Sequence, residues 1–331
     1  VWRPVKIAIT AYVDNHHLTK FVDECNLMTF SGQLLDSRFT FVLFAHSEAV
    51  PLLDTYPNVQ IIEYEVPKDK YYTDYKFARS LVFSYDKVDF FADYDYVIKT
   101  DTDVILTPNL NNFSFDEKIY VGLGHYSVNQ ESITALKQAA IDFGYPQYSR
   151  IADMHSTIIA KTSTMMDVMK LSDELCRKMY YELPEDGEWG TAKLWRGPLG
   201  GNSGVCSMYA AEIILSSVYP KEQVVVTDSI DAGSDWEKPW SEVYHYHCYH
   251  HDFIYSKFQS RYGSYRDLDY ALGDSSAEYC LNVYIARREA AKKNPELFNK
   301  PEPTVDPLPP GYNGIPQIQY QYGSALPFKK V

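Results

Sequence analysis

Short apolar runs rich in β-branched and aromatic residues alternate with helix-like stretches through the first hundred residues, and this alternation leaves few folds open. Val5 to Thr10, Phe39 to Phe44 and Val59 to Tyr64 read as strands, and a fourth run from Tyr94 delivers Asp101 and Asp103. Leu18 to Thr29 and the stretch from about Asp74 to Ser84 carry helical spacing. Unbroken apolar strands separated by helices indicate a largely parallel sheet buried on both faces. Ligands of such sheets collect at the carboxyl ends of the strands. The loops after Thr10 and Phe44 and the Asp101–Asp103 turn are therefore expected along one edge.

The second half is less regular. Ser132 to Phe143, Ser163 to Tyr181 and Val205 to Val218 have helical spacing, His155 to Ala160 and Gln223 to Thr227 read as strands, and Trp189 to Gly204 has the Gly and Trp content of a loop. Met165, Val168, Met169, Leu175 and Met179 fall near one helical face, a core pattern. From about Asn294 the prolines at 301, 303, 307, 309, 310 and 316 preclude regular helix. The expectation is one α/β domain over residues 1–293, a mixed, mostly parallel sheet flanked by helices, with a Pro-rich tail over 294–331. Residues of about 1–110 form its first half and 111–293 its second.

Composition removes several classes of function. A formal charge of −13 argues against a nucleic-acid polymer as partner, because backbone binding needs clustered Lys and Arg. The 29 tyrosines can supply faces for sugar or base rings, or fill half-buried sites. Five scattered cysteines without C-x-x-C spacing indicate neither a zinc knuckle nor a disulfide framework, which favours a reducing compartment, the cytosol over the Golgi lumen. There is no apolar run of about 18 residues, so no membrane segment is expected, and any signal or anchor would lie outside this sequence.

The chemistry centres on Asp101-Thr102-Asp103. On an extended backbone alternate side chains share a face, so the two carboxylates point one way and Thr102 the other. Mg²⁺ and Mn²⁺ favour oxygen ligands and leave room for phosphate oxygens, so one or two carboxylates make a metal-diphosphate site. A solvated turn is the plain alternative. Four of the nine histidines follow at His245, His247, His250 and His251. If Val243 to Tyr249 is a strand, His245 and His247 share a face, and either can complete a carboxylate pair as a ligand for Mn²⁺. Glu212 is the one charge between Gly204 and Tyr219, on a stripe with Val205, Met208 and Leu215. A carboxylate on an apolar face is costly unless paired or working. It can act as a general base or under a sugar ring, or form an ion pair with Arg196 or Lys193.

Asp101-Thr102-Asp103 at a strand end, the βαβ half before it and the late histidines resemble the nucleotide-sugar glycosyltransferases of the GT-A fold, over about Lys6 to Phe258. The resemblance implies a Rossmann-related fold in which the first half binds the nucleotide and the second the acceptor. It implies a metal-dependent glycosyltransferase that moves a sugar from a nucleotide diphosphate sugar, UDP-sugar favoured, to a hydroxyl of a glycan or glycoconjugate. Position by position, Asp103 would ligate Mn²⁺ (or Mg²⁺), Asp101 would contact the metal or ribose beside Thr102, and His247 or His245 would complete the shell. Thr10, Ala11 and Tyr12 fall where this fold holds the base, with Tyr12 a stacking face or a plain loop aromatic. Lys76 and Arg79 are candidates for base or diphosphate, or surface charges. The family often carries an acid near a comparable late helix, which favours Glu212 as the catalytic carboxylate. A sugar-phosphate nucleotidyltransferase and a non-catalytic carbohydrate-binding relative are the alternatives. The first usually has a Gly-rich basic loop after its first strand, which Ala11 to His16 lacks.

Overall fold

The structure is a computed structural model that describes residues 3–124, 130–151, 154–182, 205–233, 238–248, 255–261, 263–266, 268 and 276–300. Its strands in chain order are β1 (Ile7–Thr10), β2 (Tyr12–Val13), β3 (Phe39–Ala45), β4 (Val59–Glu63), β5 (Tyr96–Lys99), β6 (Val104–Leu106), β7 (Ile119–Leu123), β8 (Met154–Lys161), β9 (Val224–Thr227), β10 (Ala232–Gly233) and β11 (His245–His247). The helices are α1 (Leu18–Ser31), α2 (Lys70–Asp74), α3 (Arg79–Asp86), α4 (Gln130–Asp142), α5 (Thr162–Glu182), α6 (Cys206–Val218), α7 (Lys257–Arg261) and α8 (Ser276–Lys293). The chain is mixed α/β, and its contacts divide it into two compact units that interleave along the sequence.

The first unit takes Val1–Tyr12, Tyr64–Thr100 and Phe115–Asp228. Within it β5 pairs with β1 in parallel and with β8 antiparallel, and β7 pairs with β8 antiparallel and with β9 in parallel. β1, β5, β7 and β9 thus point one way and β8 alone runs against them, so the sheet is mostly parallel. Ile7, Ala8, Ile9, Val97 and Ile98 are wholly buried, as continuous apolar strands require. On α5, Met165, Val168, Met169, Leu175 and Met179 are buried, and the helix packs against α3 and α6.

The expected helix from Asp74 to Ser84 is instead broken into α2, a 3₁₀ turn (Lys76–Ala78) and α3. Asp69 starts α2 early by accepting the Tyr71 N–H, which satisfies one of the unpaired donors of the first turn. Tyr75 then leaves the helical region, at φ −120 and ψ 83. Its ring is buried and its hydroxyl accepts the Ser207 N–H at 3.1 Å, which fixes the backbone at the break.

The second unit takes Val13–Glu63, Asp101–Ser114 and Ser229–Val331. β3 and β4 pair in parallel, and β10, β11 and β6 form a separate three-stranded sheet. α1 packs on β6 and on α8. Gly32, just past α1, lies so close to the Phe41 ring that a Cβ there would overlap it. Ile105, Tyr246, Tyr279 and Cys280 share one apolar cluster, and Tyr246, Tyr265 and Tyr279 are fully buried, so much of the tyrosine excess fills the core. The first residues of the Pro-rich tail tie back to this unit, with Asn299 donating to the Leu53 carbonyl at 2.6 Å. Residues 301–331 lie outside the described residues, as does the loop expected over Trp189 to Gly204. Among the described residues no helix is long and apolar enough to cross a membrane.

Candidate metal centre

The chain leaves β5 at Lys99 and enters β6 at Val104, so Asp101, Thr102 and Asp103 lie on the connection and not on a strand. Their backbone bends, a departure from the extended triplet expected. Thr102 turns inward, where its hydroxyl donates to Glu24 Oε2 at 3.2 Å, while the two flanking carboxylates stay half-buried.

What brings a histidine to them is strand register. β11 runs antiparallel to β6 with His247 opposite Val104, Tyr246 opposite Ile105 and His245 opposite Leu106. The ladder continues one step past the strand, where the Cys248 N–H donates to the Asp103 carbonyl at 2.9 Å. His247 Nε2 consequently lies 3.2 Å from Asp103 Oδ1, and ligand atoms of Asp101, Asp103 and His247 all fall within 4.8 Å of one another. Adjacent ligands on an octahedral ion with bonds of about 2.1 Å are roughly 3 Å apart. Two carboxylate oxygens and one imidazole form a donor set that could hold a metal ion. Among the described residues this is the one such group of three.

His247 is held from behind. Its Nδ1 is 3.2 Å from Asp231 Oδ1, so with Nδ1 carrying the proton its Nε2 lone pair is aimed at the carboxylates. Asp231 is wholly buried and adopts a left-handed φ of 54, a conformation that costs a non-glycine residue energy. β10 follows at once, pairing Ala232 with Tyr246 and Gly233 with His247. Burial opposes a charge on His247, but Asp103 and Asp231 outweigh it and raise its pKa well above the ordinary value. Burial likewise opposes ionisation of Asp103, yet Lys257 and His247 hold its carboxyl well below the usual range.

His245 takes no part. It shares the β11 face but sits two residues, about 6.7 Å, further along the strand. Its Nδ1 is 3.8 Å from Asp231, beyond hydrogen-bond reach, and burial pushes its pKa down to about 4. Of the two histidines offered by the sequence, His247 joins the cluster and His245 does not. His250 and His251 lie outside the described residues.

A cation cluster adjoins the carboxylates. Lys257, at the start of α7, pairs with Asp103 Oδ2, and Arg261 one turn later pairs with Glu24 at 2.6 Å. Lys20, Glu24, Lys257 and Arg261 line one cavity, and the Lys20 amine is lowered in pKa by burial and by the two neighbouring cations. Sequence reading missed Lys20, Lys257, Arg261 and Glu24. The i, i+4 spacing of Lys257 and Arg261 was the available signal.

Residues 5–293 match the family model described as Domain of unknown function (DUF7164). The chain belongs to the DUF7164 family. Asp101, Asp103, Asp231, His247 and Lys257 of this DUF7164 chain all fall within the matched span. Comparison with curated proteins gives no match.

The remaining sequence candidates of the DUF7164 chain lie in its first unit, apart from Thr102. Thr10 ends β1 and, with Ala11, is wholly buried. Tyr12 is not an open stacking face: it is 8% exposed, with Phe83 stacked on it at 6.0 Å and Tyr64 edge-on at 5.9 Å. Lys76 is exposed on the 3₁₀ turn, whereas Arg79 donates to the Tyr72 carbonyl at 2.7 Å. Glu212 is buried on α6, where Oε1 accepts the Tyr148 hydroxyl at 3.0 Å and lies 3.6 Å from Arg150 Nε. Among the described residues its ion-pair partner is Arg150; Arg196 and Lys193 lie outside them.

Proposed function

We propose that this chain is a metal-dependent glycosyltransferase of GT-A-like, Rossmann-related fold. It would transfer a sugar from a nucleotide diphosphate sugar, with UDP favoured, to a hydroxyl of a glycan or glycoconjugate. The observation that carries the reading is the convergence of Asp101, Asp103 and His247, with Asp231 aiming the imidazole. Mn²⁺ or Mg²⁺ held by these three residues would offset the charge on a departing nucleoside diphosphate.

The chain's own residues supply the rest. Lys20, Lys257 and Arg261 place three positive charges beside the carboxylate turn, suited to phosphate oxygens. Glu24 balances Arg261 and holds the Thr102 hydroxyl, which keeps the turn in place. Glu212 is the proposed catalytic carboxylate, as general base or beneath the sugar ring.

Calorimetric titration of Mn²⁺ and UDP tests the site. Each is expected to bind weakly alone and tightly in the other's presence. Tight UDP binding without metal, unchanged by Asp103→Ala, would remove the metal bridge. Screening nucleotide sugars for metal-dependent hydrolysis then tests the activity, and no turnover of any of them would sink the enzyme reading.

A further inference from the structure

We propose that Cys176 and Cys206 join in a disulfide that ties α5 to α6 when the chain matures in an oxidising compartment. The Sγ atoms lie 3.7 Å apart, in hydrogen-bond contact, across 30 residues of sequence. Both side chains are wholly buried. Cys206 opens α6 and Cys176 lies on the buried face of α5, and these two helices pack together. Closing the contact to a bond of about 2.05 Å shortens it by roughly 1.7 Å.

A metal site does not account for this pair, because among the described residues only Asp101, Asp103 and His247 group as ligands. The step is thiol–disulfide exchange with a donor disulfide such as oxidised glutathione. One cysteine thiolate attacks the donor and releases one donor thiol, leaving a mixed disulfide; the second cysteine thiolate then attacks that sulfur and releases the other. Each cysteine loses a proton, and the donor is reduced by two electrons to two thiols. Burial pushes the Cys176 thiol up, so exchange belongs to folding, before the helices close over the sulfurs. Cys25 is buried, and burial pushes its thiol up. Cys248 and Cys280 also hydrogen-bond, and peptide mapping keeps that pair separate.

The test uses the full chain, secreted through an oxidising compartment and, separately, refolded from the reduced state in glutathione buffer. Each sample is unfolded with iodoacetamide without reductant, digested and analysed by mass spectrometry. The expected product in both is a peptide linking Cys176 to Cys206, with Cys25 alkylated and both bridge cysteines alkylated only after reduction. Cys176 and Cys206 alkylated without reduction in the refolded chain, or linked to other cysteines, overturns the proposal. Reductant should also lower the thermal midpoint of the native chain more than that of Cys176→Ser; equal shifts would overturn it as well.

Discussion

Asp231 holds His247 from the side away from the carboxylate turn, its Oδ1 3.2 Å from the imidazole Nδ1, and so decides which ring nitrogen faces Asp103. Carboxylates behind a ligating histidine typically contribute about 10–100-fold to metal affinity. Asp231→Asn should weaken Mn²⁺ binding by a factor in that range while leaving the fold intact by circular dichroism. Unchanged affinity in a calorimetric titration would reduce Asp231 to a core residue.

The two histidines of β11 should behave in opposite ways. His247→Ala should abolish measurable Mn²⁺ binding, since the buried third ligand has no substitute among the described residues. His245→Ala should bind Mn²⁺ like the native chain, because its ring stops 3.8 Å from Asp231 and lies outside the cluster. Equal losses in both variants would show that strand integrity, not ligation, governs binding.

Glu212→Gln separates catalysis from ion pairing. It keeps an acceptor for the Tyr148 hydroxyl but removes the charge beside Arg150. If Glu212 acts on the acceptor, transfer falls by about 10²–10⁴-fold while nucleotide affinity holds. Native turnover with a lowered urea midpoint would assign Glu212 to holding Arg150 alone.

Gly32→Ala should destabilise the chain by about 1–3 kcal/mol, the usual cost of forcing an extra group into a packed core. The added Cβ meets the ring of Phe41, which is wholly buried and has no open side to turn to. Urea unfolding checks the magnitude, and a stable variant would mean that the Phe41 ring moves more freely than its burial implies.

Acid should erase the contribution of Asp69. Its carboxyl lies below the ordinary value because it accepts the Tyr71 N–H and pairs with Arg177. A depressed folded-state pKa means that the stabilisation is present above the unfolded value and fades as pH falls through the folded one. Asp69→Ala should cost about 1 kcal/mol at neutral pH. The gap to the native chain should close below about pH 4. A gap that persisted in acid would assign the effect to helix propensity.

Much of the first unit was legible because β1 and β5 are buried on both faces, and such strands announce themselves as apolar runs. The Asp101/Asp103 pair was legible for the same reason, being the polar interruption between two such runs. The choice between His245 and His247 was not, since strand periodicity puts both on one face and only the β6–β11 register separates them. Asp231 was hidden in a loop whose left-handed turn carries no glycine to mark it. Tyr12 looked like a stacking platform because its burial depends on Tyr64 and Phe83, residues 52 and 71 positions away in sequence. Lys257 and Arg261 escaped notice because a short charged helix reads as surface until its partners, Asp103 and Glu24, are known.

The Cys248 N–H to Asp103 carbonyl bond makes the centre sensitive to chain length more than to chemistry. Inserting or deleting one residue in β11 would leave its composition almost unaltered, yet would turn Tyr246 or Cys248 toward the carboxylates in place of the imidazole. The geometry of the centre is therefore set by register: Asp231 immediately precedes β10, His247 ends β11, and the pairing of those two strands fixes the distance between them.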